Sequence, residues 1–160
     1  MARANSRIEL LLVNLTGLQN FSLLTVLVAF FLCLAPHVYA VSLTRGNFKA
    51  DAPRSYVASM QKKQNKTETD LRFLRAEAAH LNGFETLALY AVAISIGNVA
   101  GLPTSQLNSL SLFYILSRII FILSYIFLST PTLWWIRSLS YFGGIAVIFR
   151  LFWSAAAALQ

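Results

Sequence analysis

Four long stretches of the chain are dominated by hydrophobic residues, and polar segments separate them. The apolar stretches cover about residues 21–43, 76–100, 104–129 and 132–157. A helix needs roughly 20 mostly apolar residues to cross the hydrocarbon core of a bilayer. Each stretch is long enough, so the pattern predicts an all-α membrane protein whose four transmembrane helices form one domain over residues 1–160.

The connections between these stretches predict how the helices are arranged. Residues 101–103 join the second stretch to the third, and about residues 130–131 join the third to the fourth. Such short connections favour antiparallel neighbours, so we expect an antiparallel four-helix bundle. A polar loop, residues 44–70, separates the first two stretches. The second helix is expected to start near Thr69 and Asp70, whose side chains can cap free N–H groups.

Composition agrees with a membrane protein. Only 12% of the 160 residues are charged, whereas a soluble domain carries about 25%. Of the 13 Lys and Arg residues, eight lie between Arg45 and Arg75. Such an excess of basic residues marks a cytosolic loop, and the segment has few of the aromatic residues expected in a nucleic-acid surface. We therefore expect a cytosolic loop and no nucleic-acid partner.

Few residues are suited to metal or disulfide chemistry. Cys33 is the single cysteine and lies in an apolar stretch, so it is interpreted as a packing residue. His37 and His80 are the two histidines, and no cysteine cluster accompanies them, so no metal site is expected. Glu77 lies one turn from His80, which predicts a structural pair between the two.

Polar residues on the second helix lie on one face. Arg75, Asn82 and Glu85 are spaced by seven and three residues, which places them on one stripe. An arginine holds a carboxylate bidentately, and a glutamate accepts from an ammonium. The stripe is therefore typical of a site for a zwitterionic ligand, or of a polar contact that fixes helix packing.

The third helix carries Arg118 near mid-membrane, with Phe121 and Tyr125 on the same face. A charge at this depth needs a partner. Glu85 of the preceding helix is the expected partner. This ion pair would either belong to a ligand site or only lock the bundle.

The fourth helix opens with Trp134 and Trp135, which are typical of an interfacial belt. Arg137 and Tyr141 follow, one turn apart. A cation lowers the pKa of a thiol, and a hydroxyl donates to a sulfur anion, so this pair suits a thiolate-activating site. The alternative is an arginine that extends to lipid headgroups.

Together these patterns resemble the MAPEG family (membrane-associated proteins in eicosanoid and glutathione metabolism) over about residues 72–149. The similar positions are Arg75-x-x-x-x-His80-x-Asn82-x-x-Glu85, Arg118-x-x-Phe121-x-x-x-Tyr125, and Pro131 followed by Arg137-Ser138-x-x-Tyr141. The first motif resembles the form seen in bacterial and fungal members. The resemblance is therefore to microsomal glutathione transferase-like proteins of that branch.

The resemblance implies a homotrimer that binds glutathione between neighbouring subunits, near the cytosolic side of the endoplasmic reticulum or another intracellular membrane. It implies an enzyme that activates the glutathione thiolate for attack on a lipophilic electrophile or hydroperoxide, as a transferase, a peroxidase or an isomerase. The catalytic residues would be Arg137, Ser138 and Tyr141. The glutathione-binding residues would be Arg45, Arg75, Asn82, Glu85, Arg118, Tyr125, Arg137 and Tyr141.

The sequence departs from the family pattern at two positions, which changes what is expected of glutathione binding and of the substrate. Ala78 stands where the animal enzymes carry an arginine, and Arg75, one turn away, is the expected substitute. Phe121 stands where prostaglandin E synthases place a histidine, which disfavours prostaglandin synthesis. One branch of the family binds lipid without glutathione. A non-enzymatic lipid-binding or scaffold protein of the same fold is therefore the alternative.

Overall fold

The computed structural model describes residues 19–128 and 133–160, and this part of the chain contains helices and no strand. The helices are α1 Leu24–Leu43, α2 Pro53–Lys62, α3 Glu68–Val99, α4 Thr104–Phe127 and α5 Trp134–Ala158. The all-α class is thereby confirmed. The connection expected at about residues 130–131, with Pro131, lies outside the described residues.

The four long helices pack against one another. α1 lies mainly along α3 and α4 mainly along α5, while α3 also contacts both α4 and α5. At the centre, the rings of Tyr90 and Tyr114 stack with their centroids 3.7 Å apart. Ile94 and Leu151 are fully buried in the same cluster. The antiparallel arrangement across a membrane stays a prediction.

Three helices, α1, α4 and α5, are long and apolar enough to cross a membrane. The fourth expected span corresponds to α3, which is long enough but less apolar than the others. The segment of α3 from Arg75 to Glu85 also carries Glu77 and Asn82, and polar groups at such positions are costly in hydrocarbon. The span predicted for residues 76–100 therefore rests on the sequence pattern alone.

A capping box starts α3. The Thr67 hydroxyl accepts from the backbone N–H of Asp70 at 3.2 Å, and the Asp70 carboxylate accepts from the backbone N–H of Thr67 at 2.7 Å. Two free donors of the first helical turn are satisfied in this way. The sequence prediction had placed the start near Thr69. The structure assigns the capping hydroxyl to Thr67 instead, two residues earlier.

The cap makes stability depend on pH. A hydrogen bond from the Lys63 ammonium, followed by that from the Thr67 N–H, lowers the pKa of Asp70 from 3.8 to about 2. A carboxyl whose pKa is lowered by folding stabilises the folded state above its unfolded pKa, and this contribution disappears as pH falls through the folded pKa. We expect Asp70→Asn to lower the melting temperature near neutral pH. The difference from wild type should shrink between about pH 4 and pH 2.

Circular dichroism melts of both proteins over this pH range would measure the effect. Asp51→Asn, in an exposed part of the same loop, is the matched control and should melt like wild type at every pH. A destabilisation by Asp70→Asn that is as large at pH 2 as at pH 7 would contradict the assignment.

The basic loop contains one helix, α2, that the sequence analysis did not predict. Pro53 stands in its first turn, where a missing N–H costs nothing. Tyr56, Val57 and Met60 pack against a cluster that includes Phe73 of α3. The loop composition is polar, so the helix depends on this packing rather than on a strong local pattern.

Candidate functional site

Cationic and aromatic side chains meet between α4 and α5. The spacing of three and seven residues puts Arg118, Phe121 and Tyr125 on one side of α4. Arg137 and Tyr141 stand one turn apart on α5. We call these five residues the cation–aromatic cluster, and each of them contacts at least one other member.

Arg118 is the buried centre of the cluster. Its side chain belongs to a residue only 3% exposed, and its Nη2 donates to the backbone oxygens of Tyr141 at 2.9 Å and Ser140 at 3.2 Å. The rings of Tyr114, Phe121 and Tyr141 lie 5.2 to 5.4 Å from its Cζ. These distances are within the range of cation–π attraction. Arg118 thus ties α4 to α5.

The prediction that Arg118 forms an ion pair with Glu85 is wrong within one subunit. Among the described residues, no ion pair involves either side chain. On α3, Arg118 instead approaches the hydroxyl of Thr86, at 3.5 Å. Because successive residues of a helix point about 100° apart, Glu85 does not point in the same direction as Thr86. The Glu85 side chain is exposed. The Nε of Arg118 is buried and has no hydrogen-bond partner.

Arg137 is the more accessible cation of the cluster. Its Cζ lies 4.8 Å from the centroid of the Tyr125 ring, and the side chain is partly buried. No ion pair of the described residues includes it. Ser138, next in sequence, donates weakly to the backbone oxygen of Trp134 at 3.5 Å. Within residues 19–128 and 133–160, Arg137 is therefore a cation without a counter-charge at the edge of an aromatic surface.

The polar stripe on α3 does not join this cluster. Arg75 donates to the carboxylate of Glu68 at 2.6 Å and to the backbone oxygen of Ile126 at 3.1 Å. The Asn82 amide donates to a backbone oxygen one turn earlier in its own helix, at 2.8 Å. Glu85 is exposed. In one subunit, the three stripe residues thus have separate surroundings.

Arg45 also lies outside the cation–aromatic cluster. It follows α1 in the loop, and its side chain is exposed. Its φ of 51° is in the left-handed region, which is uncommon for a residue with a side chain. The backbone there turns the chain away from α1 toward α2.

Gly144 is a site residue that the sequence analysis missed. A Cβ atom placed on it would lie 2.5 Å from Arg118 Nη2 and 2.8 Å from Ser117 Oγ. The missing side chain therefore makes room for the buried guanidinium. The Gly143-Gly144 pair inside α5 was the available signal, because glycine in a helix interior costs stability relative to alanine.

The sequence analysis predicted that Glu77 pairs with His80, and this prediction is wrong. The Glu77 carboxylate Oε1 lies 2.7 Å from Nδ1 of His37 on α1. Nδ1 of His80 instead donates to the backbone oxygen of Cys33, at 2.8 Å. The reason is that α3 packs closely on α1, so contacts across the helices replace the contact within α3. Cys33 is free and buried, as a packing residue would be.

Comparison with known proteins identifies the family. The model of the MAPEG family matches residues 23–157, which include α1 to α5 almost completely. Searches of curated proteins and of solved structures each found no match. With the three apolar helices, the family indicates an integral membrane protein. Since the match extends over most of its length, the chain belongs to the MAPEG family.

Proposed function

We propose that the protein is a glutathione-dependent membrane enzyme that activates the glutathione thiolate for attack on a lipophilic electrophile or hydroperoxide. The observation that carries this proposal is Arg137, a partly buried cation without a counter-charge in the described part of the chain. It lies in the same cluster as the hydroxyl-bearing ring of Tyr141. Family membership supports glutathione chemistry in general terms.

The charges of the described residues fit glutathione, which carries two carboxylates, one ammonium and one thiol. Among the described residues, Arg118 and Arg137 have no carboxylate partner, and the buried Nε of Arg118 has no acceptor. A cation without a counter-charge favours an anionic partner, and Arg137 is the more accessible of the two arginines. Glu85 is an exposed carboxylate without an ion pair, which suits an ammonium.

We propose that a neighbouring copy completes the site. Glu85 does not reach Arg118 in its own subunit, and the Asn82 amide and Arg75 also lie apart from the cluster. A homotrimer would bring the α3 stripe of one copy to the cation–aromatic cluster of the next. Glutathione would then bind at this interface, with Arg45 and Arg75 as further partners for its carboxylates.

Three residues of α5 and one of α4 take part in the proposed reaction. When bound, glutathione supplies the thiol that becomes the nucleophile. Arg137 stabilises the sulfur anion by its charge, and the hydroxyls of Tyr141 and Ser138 donate to it. Tyr125 holds the Arg137 guanidinium by cation–π attraction. The acceptor arrives from the bilayer, and conjugation, peroxide reduction and isomerisation would share the same activated thiolate.

The charge pattern and the family support a proposal for orientation and location. We propose that the basic loop with α2 faces the cytosol, as the positive-inside rule expects. The membrane would be the endoplasmic reticulum or another intracellular membrane in a eukaryotic host. Within the family, the motif on α3 favours a microsomal glutathione transferase-like member of the bacterial and fungal type.

An ultraviolet difference spectrum tests the proposal. Purified protein in detergent, titrated with glutathione near neutral pH, is expected to develop a thiolate absorption band. S-methylglutathione keeps the peptide but has no ionisable thiol, so it is the matched control and should produce no band. Binding of S-methylglutathione without a thiolate band from glutathione would contradict thiol activation. The non-enzymatic lipid-binding alternative would then be favoured.

A further inference from the structure

A cavity lined by both apolar and polar side chains lies away from the cation–aromatic cluster, between α1, α3 and the overlying helix α2. Its volume is about 490 Å³. Its polar lining comes from His37 of α1, from Glu77 and His80 of α3, and from Arg54 and Gln61 of α2. The two imidazole rings lie 5.0 Å apart between centroids. The proposed glutathione chemistry uses none of these side chains.

Hydrogen bonding determines which ring nitrogens carry protons. The backbone oxygen of Cys33 can only accept, so Nδ1 of His80 must be its donor. The Glu77 carboxylate accepts from Nδ1 of His37 in the same way. In a neutral imidazole, the other nitrogen is then an acceptor. Both histidines are therefore held in the tautomer that leaves Nε2 as a lone-pair acceptor.

Three acceptor atoms on residues that line the cavity have no partner in the described part of the chain. Neither His37 Nε2, His80 Nε2 nor Glu77 Oε2 has a hydrogen bond within the described residues, and none of them is fully buried. An ammonium group has three N–H donors and no acceptor. The residues that line the cavity thus carry three acceptors, one of them on a carboxylate, which match a group with three donors and a positive charge.

The α2 side of the cavity has the opposite character. Arg54 forms no ion pair among the described residues, and Gln61, two turns later on α2, also lines the cavity. A guanidinium is well suited to bind a phosphate. Leu81, 59% exposed, also lines the cavity, so an apolar surface adjoins the polar groups.

We propose that this cavity binds the phosphoethanolamine headgroup of a bilayer lipid. The ammonium would donate to His37, His80 and Glu77, the phosphate would accept from Arg54, and the acyl chains would pass over Leu81. The position of the cavity near one end of α1 suits a lipid headgroup. His37 lies six residues before the end of α1, roughly 9 Å along the helix. A choline headgroup has no N–H donors and would leave all three acceptors unpaired.

Native mass spectrometry of the delipidated protein in detergent tests this proposal. Dioleoyl phosphatidylethanolamine and dioleoyl phosphatidylcholine differ only in the headgroup nitrogen. We expect the ethanolamine lipid to bind at least about tenfold more tightly, since charged hydrogen bonds are lost with choline. Soluble phosphoethanolamine should compete only at much higher concentration. Equal binding of the two lipids, or equal binding of soluble phosphoethanolamine and its lipid, would overturn the proposal.

Variants test the α3 side and the α2 side of the cavity separately. His80→Phe keeps a ring against His37 but removes an acceptor, and Glu77→Gln removes the carboxylate charge. Both should reduce the preference for ethanolamine over choline several-fold. Arg54→Gln, at an exposed position, should weaken both lipids and leave their ratio unchanged. Lys49→Gln, in the same loop but outside the cavity lining, is the control for general basic charge.

The wild-type lipid ratio and the Arg54→Gln result do not depend on whether the α3 variants fold. Circular dichroism of His80→Phe and Glu77→Gln verifies their folding before their lipid ratios are used. A folded His80→Phe protein with the full wild-type preference would show that the imidazoles do not recognise the ammonium, which would also overturn the proposal.

Discussion

Replacing Arg137 with alanine is expected to abolish the thiolate band of bound glutathione and to lower turnover roughly 10²- to 10³-fold. A free thiol with a pKa of about 8.5 is only a few per cent ionised at pH 7, and a nearby cation that lowers this pKa by about two units would make most of it thiolate. Arg137 is the accessible cation of the cation–aromatic cluster. Its loss removes this charge and leaves the Tyr125 ring in place.

Matched variants separate this role from a general effect of arginine loss. Arg150→Ala changes an exposed arginine on the same helix, outside the cluster, and should keep wild-type turnover. Arg137→Lys retains the charge but not the planar geometry, so an intermediate rate is expected. Turnover would be measured with glutathione and a lipophilic electrophile. A rate for Arg137→Ala within about twofold of wild type would mean that another group activates the thiol.

The long helices could be predicted from the sequence because each depends mainly on local pattern. The apolar stretch at about residues 104–129 became α4 Thr104–Phe127, and that at 132–157 became α5 Trp134–Ala158. Helix α2 was not predicted, because it has only 10 residues and lies in a loop of polar composition. What stabilises α2 is contact with Phe73, a residue of another helix, and such a contact cannot be read from the loop itself.

The candidate site shows the same division between local and distant information. Arg118, Phe121 and Tyr125 share one side of α4, as their spacing predicted. Partners on other helices were assigned wrongly: Glu85 does not pair with Arg118, and Glu77 pairs with His37. Such partners depend on the rotation of each helix about its axis. Glu85 and its neighbour Thr86 point about 100° apart on α3, and it is Thr86 that lies near Arg118.

Replacing Arg118 with methionine is expected to separate stability from activity. The guanidinium is buried without a carboxylate partner in the described part of the subunit, and burying a charge is expensive. Cation–π attraction to three rings and two hydrogen bonds offset part of this cost. The backbone oxygens that would lose Nη2 lie inside α5, where helical N–H groups also serve them. We therefore expect a melting temperature within about 4 °C of wild type.

Turnover of Arg118→Met should nevertheless fall at least about tenfold, because Arg118 bonds to the backbone of Tyr141 and packs on its ring. Gly144→Ala retains every charge but puts a methyl group where the guanidinium lies. It should also slow turnover, by displacing Arg118. Thermal melts and glutathione turnover of both variants, measured on the same preparations, decide between the possible roles. Loss of folding in Arg118→Met would identify Arg118 as a structural clamp, and full activity in either variant would contradict its role in positioning Tyr141.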